Sequence, residues 1–134
     1  GFIDCLFLGL QKHYSPEYRS LEKIKMVNMT VNPFWSSSHR KTATDAKATV
    51  IFTVEGGPRG ASTFQHTSRS MIHSSFAAAL TSFQFYINCE RSFRKIQVVL
   101  KDANRRNRFD IADNWRYYLS KLTEVNTYEK REEN

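Results

Sequence analysis

Residues 46–57 read Ala-Lys-Ala-Thr-Val-Ile-Phe-Thr-Val-Glu-Gly-Gly, and this stretch decides the fold. Ala46, Ala48, Val50, Phe52 and Val54 alternate with Lys47, Thr49, Ile51, Thr53 and Glu55. A period of two places the first set on one buried face of a β-strand and the second on a mostly polar face. Gly56, Gly57, Pro58 and Gly60 then form a turn, so residues 61–66 are expected to return as an antiparallel strand.

The neighbouring segments supply what this hairpin needs to bury its apolar face. Upstream, residues 23–31 carry Ile24, Met26, Val27, Met29 and Val31 with imperfect alternation before Pro33, which is expected to stop a first strand. Earlier still, Ile3, Leu6, Phe7, Leu10 and Tyr14 recur at the spacing of an amphipathic helix that Ser15 and Pro16 end. A polar loop over 36–44 links the first two strands. Downstream, Ser68 or Ser70 caps a helix whose Ile72, Phe76, Ala79, Leu80, Phe83 and Ile87 share a stripe. Phe93, Ile96, Leu100 and Ala103 fit a further helix, although residues 96–100 alone also suit a short strand. After a polar break at 105–108, a last helix over 110–122 is expected to bury Ile111, Trp115, Tyr118, Leu119 and Leu122.

The expected fold is therefore α+β: an αβββα unit with a three-stranded antiparallel sheet covered by helices, plus two C-terminal helices. The unit spans 1–88, and 89–134 is a helical extension of the same domain. Three strands with helices on one side leave exposed edges and an open face, and a second copy alongside would cover them. A homodimer or larger assembly is expected on that ground, with cover by the C-terminal third of the same chain as the alternative.

Composition bounds the function classes. The 134 residues include 20 Lys+Arg and 13 Asp+Glu, for a net charge of +7. With 40% hydrophobic residues the chain can build one core, and disorder is not expected. The longest apolar run, residues 2–10, is broken by Asp4 and is shorter than the roughly 20 residues of a membrane span. No basic segment precedes it and no small-residue cleavage site follows, so it does not read as a secretory signal. With only Cys5 and Cys89, too few for a disulfide framework, an intracellular, cytoplasmic setting is expected. The opening Gly1, in place of Met, suggests either a tag scar or a piece excised from a longer chain.

No catalytic constellation stands out. His13, His39, His66 and His73 show no metal-ligand spacing, and neither cysteine neighbours a base in sequence. The Gly56–Gly57–Pro58–Arg59–Gly60 cluster lacks the ending of a phosphate-binding loop, and the Asn28-Met29-Thr30 sequon falls inside a strand. Neither a metal, a cofactor nor an enzymatic activity is expected. The charge is regional: residues 1–89 hold nine basic and five acidic side chains, whereas 90–116 hold eight and four. Those eight are Arg91, Arg94, Lys95, Lys101, Arg105, Arg106, Arg108 and Arg116, interleaved with Phe93, Phe109, Trp115 and Tyr117. Guanidinium groups among aromatic rings suit phosphates and bases, so this segment is a candidate RNA-binding surface. The plainer alternative is the wet side of an amphipathic helix.

Several segments resemble a known family. Gly1-Phe2-Ile3-Asp4-Cys5 resembles the GPVDA-type helix start of the C-terminal allosteric domain of 2-isopropylmalate and citramalate synthases. Residues 21–31 are similar to its next strand, and Thr44-Asp45-Ala46 followed by Val50 is similar to its TDA-x-x-x-V strand entry. Residues 71–80 resemble its I-V-x-x-S-x-x-A-Y-L helix. The resemblance covers residues 1 to about 88 and implies a dimerising regulatory module that binds a small amino-acid effector, leucine or isoleucine, between subunits. It places Ile3, Asp4, Asp45 and Ala46 at the effector. The element order is also similar to a double-stranded-RNA-binding domain, with Pro16-Glu17-Tyr18, His39-Arg40-Lys41 and the alanine-rich helix matching parts of it. That second resemblance implies RNA as a partner. In place of that family's lysine cluster stand Ser68, Arg69, Ser70, Met71 and Ile72. The reading favoured by the sequence is a non-catalytic regulatory and dimerisation module, with an RNA-binding module or a purely structural assembly domain as the alternatives.

Overall fold

A computed structural model describes residues 1–34, 47–57 and 60–128. Its elements are α1 (Phe2–Tyr14), a 3₁₀ turn (Arg19–Lys23), β1 (Lys25–Phe34), β2 (Lys47–Gly57), β3 (Gly60–Ser68), α2 (Met71–Arg105) and α3 (Phe109–Val125). The three strands form one antiparallel sheet in the order β1-β2-β3, and the alternating residues 47–55 lie on its central strand. Val50, Phe52 and Val54 on the central strand are wholly buried, and Met26, Met29, Val31 and Phe64 flank them on the same face. Each large side chain buried there contributes about 1.5–3 kcal/mol.

The imperfect alternation of β1 has a structural cause. A bulge between Met26 and Asn28 adds one residue to the strand, so Met26 and Met29, three apart, both face inward while Val27 points out. Pro33 does not stop the strand, contrary to expectation. It pairs with Ala48 on an edge strand, where its missing N–H costs no ladder bond. The 3₁₀ turn before β1 was not legible in sequence; it buries Leu21, and Gln11 of α1 donates to the carbonyls of Leu21 and Ile24 at 2.7 and 3.1 Å.

Above the sheet, α2 runs unbroken for 35 residues, joining the two helices expected over 70–88 and 93–103. The continuity follows from phase. Ser82, Tyr86, Cys89, Phe93 and Ile96 are buried at alternating spacings of four and three, and no Gly or Pro interrupts them. Ser70 is the N-cap, its hydroxyl accepting from the His73 N–H at 3.2 Å. The side pressed on the sheet keeps Ala79, Phe83 and Ile87 of the expected stripe but not Ile72, Phe76 or Leu80. Ser74, Ser75, Ala78, Ala79 and Ser82 lie there with Phe83 and Tyr86, and the small residues let the helix approach closely. Ser75 and Ser82 satisfy their hydroxyls on the Met71 and Ala79 carbonyls.

A Schellman-type turn ends α2. Asn107 takes φ 57°, Arg108 N–H donates to the Ala103 carbonyl, and Asn107 N–H donates to that of Asn104. The chain then returns as α3 along the second half of α2, burying Ala112, and its last turn reaches the β2–β3 hairpin beside Gly57. Ile111, Trp115, Leu119 and Leu122 are half-buried as expected of that face, whereas Tyr118 is exposed. Because α2 crosses 88–89 without a break, the αβββα unit and the extension share one helix.

Candidate functional site

Where α1 lies over the start of β1, the two elements enclose an open groove of about 310 Å³. Phe7, Ile24 and Met26 are its apolar floor, with the exposed Leu8 at the rim. Two opposite charges border it: Asp4 from the first turn of α1 and Lys25 from the first position of β1. Gln11 also lines the groove, but its amide is committed to the 3₁₀ turn and holds the wall in place. A volume at the small end for ligand pockets, an apolar floor and one charge of each sign suit a small zwitterion with an aliphatic side chain.

Of the residues that the sequence resemblance placed at an effector, Asp4 lines this groove, and Ile3 packs against the hydrophobic core instead. Asp45 and Ala46 lie outside the described residues. Lys25, Leu8, Gln11 and Met26 were not singled out by motif. They reach the groove through the docking of α1 on an edge strand, which no local pattern records.

A second surface is apolar. Ile72, Phe76 and Leu80, which sequence spacing placed in the core stripe, are 64%, 40% and 44% exposed. They form an i, i+4, i+8 row along the start of α2, and Phe2 of α1 lies against Phe76 with ring centroids 6.4 Å apart. Exposed apolar rows of this kind are uncommon on surfaces that contact only water.

The basic segment is less cationic than its composition suggests. Asp102 pairs with Arg105 at 2.8 Å and Arg106 at 3.4 Å, Asp110 with Arg108 at 3.7 Å, and Asp113 with Arg116 at 2.8 Å. Arg116 also donates to Asn104 Oδ1. Arg91 and Lys95 are exposed on α2, and Lys101 is exposed with a partner of its own. Arg94 serves the fold: it donates to the Glu17 carbonyl at 2.6 Å, lies over the Tyr18 ring and pairs with Glu90 at 3.7 Å. The structure thus spreads these eight residues over two helices and a turn, with carboxylates set between them.

Glu90 is itself an unexpected residue, a carboxylate only 4% exposed in the middle of α2. Its Oε1 accepts from the Ser20 N–H at 3.4 Å, and the Asn126 side chain donates to the Ser20 carbonyl at 3.0 Å. Tyr128 stacks on Phe93 at 4.6 Å and donates to the Leu122 carbonyl, so this polar node fastens the chain after α3 to the 3₁₀ turn. Burial pushes the Tyr128 phenol and the Cys89 thiol above their ordinary values. His66 and His73 come together, ring centroids 5.5 Å apart, but among the described residues no three His, Cys, Asp or Glu side chains gather as a metal-ligand group. Nor is any described helix long and apolar enough to cross a membrane. No family model, curated protein or solved structure matches the chain.

Proposed function

We propose that the chain is a non-catalytic regulatory and dimerisation module that takes a small aliphatic amino acid in the α1–β1 groove. The observation that supports this reading is the presence of Asp4 and Lys25 together on the lining of one groove with an apolar floor. The carboxylate suits the ligand's ammonium group and the lysine its carboxylate, while Phe7, Ile24 and Met26 receive the aliphatic side chain. The apolar row of Ile72, Phe76 and Leu80 suits contact with a second copy, because an isologous interface needs a self-compatible surface and this row carries no charge. Binding at a groove built from α1 would bias how that helix is seated, which is the coupling a regulatory module requires.

The test is thermal unfolding with L-leucine and L-isoleucine in titration. A ligand that binds only the folded state raises stability by RT ln(1 + [L]/Kd), about 2.7 kcal/mol at a hundredfold excess over Kd. The rise is expected to disappear in Asp4→Asn and Lys25→Gln, and with 4-methylvalerate or isoamylamine, which each lack one of the two charges. Melting temperatures that stay constant across both titrations would refute the amino-acid site.

A further inference from the structure

The two edges of the sheet are built differently. β1 carries three devices that discourage pairing with another strand: the bulge at Val27, Lys25 at its start, and Pro33 without an N–H. β3 carries none of them. Its nine residues, Gly60–Ser68, contain no Lys, Arg, Asp, Glu or Pro, and its ladder with β2 runs without a shift from Ala61 to Ser68. Among the described residues nothing pairs with its outer edge, since β3 is last in the order β1-β2-β3. A long, neutral, regular edge is a template for another strand.

We propose that β3 pairs antiparallel with the β3 of a second copy, about a two-fold axis through Phe64, to make a continuous six-stranded sheet. Phe64 is the middle residue of the nine, so this register pairs the whole strand. Ser62 then stands opposite the second copy's position 66, and Thr63 opposite its position 65. An identical partner suits this edge because the strand has no Lys, Arg, Asp or Glu and its one histidine, His66, stands opposite a serine position, so like charges do not face one another. The aromatic side chains favour the same register. Phe64 is half-buried, and Phe85 of α2, 5.4 Å from it, is still 37% exposed. Pairing about Phe64 brings the second copy's equivalent ring beside both. The seam rests on β3 with Phe85 beside it and is separate from the α2 row invoked for dimerisation, so a chain using both has two isologous contacts, which close as a tetramer where their two-fold axes cross at right angles.

Sedimentation of the intact chain over a concentration series tests the seam. Thr63 and Gln65 are exposed on the face away from the helices and oppose one another across the proposed axis. T63K/Q65K sets lysine against lysine on both sides and is expected to halve the native mass, whether that mass is a tetramer or a dimer. T63K/Q65E sets lysine against glutamate and is expected to restore the native mass, with dissociation at high salt. Equal masses for the native chain and T63K/Q65K would overturn the seam, as would a T63K/Q65E chain no larger than the double-lysine one. Phe76→Asp separates the two contacts. Halving by T63K/Q65K with no effect of Phe76→Asp supports the seam and removes the α2 row from the assembly, and the reverse result overturns the seam and leaves the row.

Discussion

Gly57 offers the most direct test of how α3 is held. A Cβ built on Gly57 would collide with the Glu124 carbonyl oxygen and come within 2.6 Å of the Val125 carbonyl carbon and oxygen. These are backbone atoms of the last turn of α3, so no side-chain rotation relieves the contact. Restoring ordinary separations near 3.5 Å requires the helix end to retreat on the order of 1 Å. Overpacking of this kind costs about 1–3 kcal/mol. The same movement loosens the bond from Asn126 to the Ser20 carbonyl, worth about 1 kcal/mol, while the lower entropy of the unfolded alanine chain returns about 0.4–1 kcal/mol. Gly57→Ala is therefore expected to destabilise the fold by about 1–3 kcal/mol, or about 5–15 °C in melting temperature for a chain of this size. Gly60→Ala is the contrast, because Gly60 has φ 136° and nothing near its missing Cβ. Its penalty is local backbone strain of about 1–2 kcal/mol. Amide exchange distinguishes the two: Gly57→Ala accelerates Val125 and Asn126, and Gly60→Ala affects only the hairpin. A Gly57→Ala melting temperature within about 1 °C of native, with unchanged exchange at those amides, would refute the close packing of α3 on the hairpin.

The buried acids give a pH dependence of defined sign. The Cys89 thiol and the Tyr86 and Tyr128 phenols have folded-state values raised chiefly by burial, so their contribution to stability is complete below the ordinary values of 9.0 and 10.0. Above those values the unfolded chain releases protons that the folded chain keeps, and stability falls with rising pH. Melting temperatures are expected to decline from about pH 9 upward, and Cys89→Ala is expected to remove the onset of that decline; an identical onset in the variant would contradict it. At the Ser20–Glu90–Asn126 node, Arg94→Met removes the cation beside a buried carboxylate and the donor to Glu17, and is expected to cost about 1–3 kcal/mol in urea unfolding. Arg91→Met, on the exposed side of α2, is the control and is expected to change stability by less than about 0.5 kcal/mol. Equal effects of the two substitutions would show that Arg94 does not support the node.

What the sequence determined by itself was the set of elements whose cause is local. The period-two stretch over 46–55, the glycine turn, the capping serine before α2 and the stripe of α1 each carry their reason within a few residues. The α+β class and the antiparallel order follow from them. The end of α2 was also legible, as a polar break at 105–108 that the backbone closes with Asn107 in the left-handed region.

Tertiary structure decided everything that depends on which face meets which. Ile72, Phe76 and Leu80 satisfy helical periodicity as well as the small residues beside them, and periodicity cannot say which row the sheet will take. Close approach to Phe52 and Val54 selected the serine and alanine row, and this turned the large side chains outward. The same selection kept α2 continuous where two helices were expected, since the buried row keeps its phase through Cys89 and Phe93. The groove was half legible: Asp4 came from a motif, while Lys25 joined it only because α1 docks over the bulged edge strand. The basic segment shows the opposite limit. Its charge was countable in sequence, but whether each arginine faces water or a carboxylate depends on the helical turn and on the packing of α3, and Asp102, Asp110 and Asp113 answered most of it.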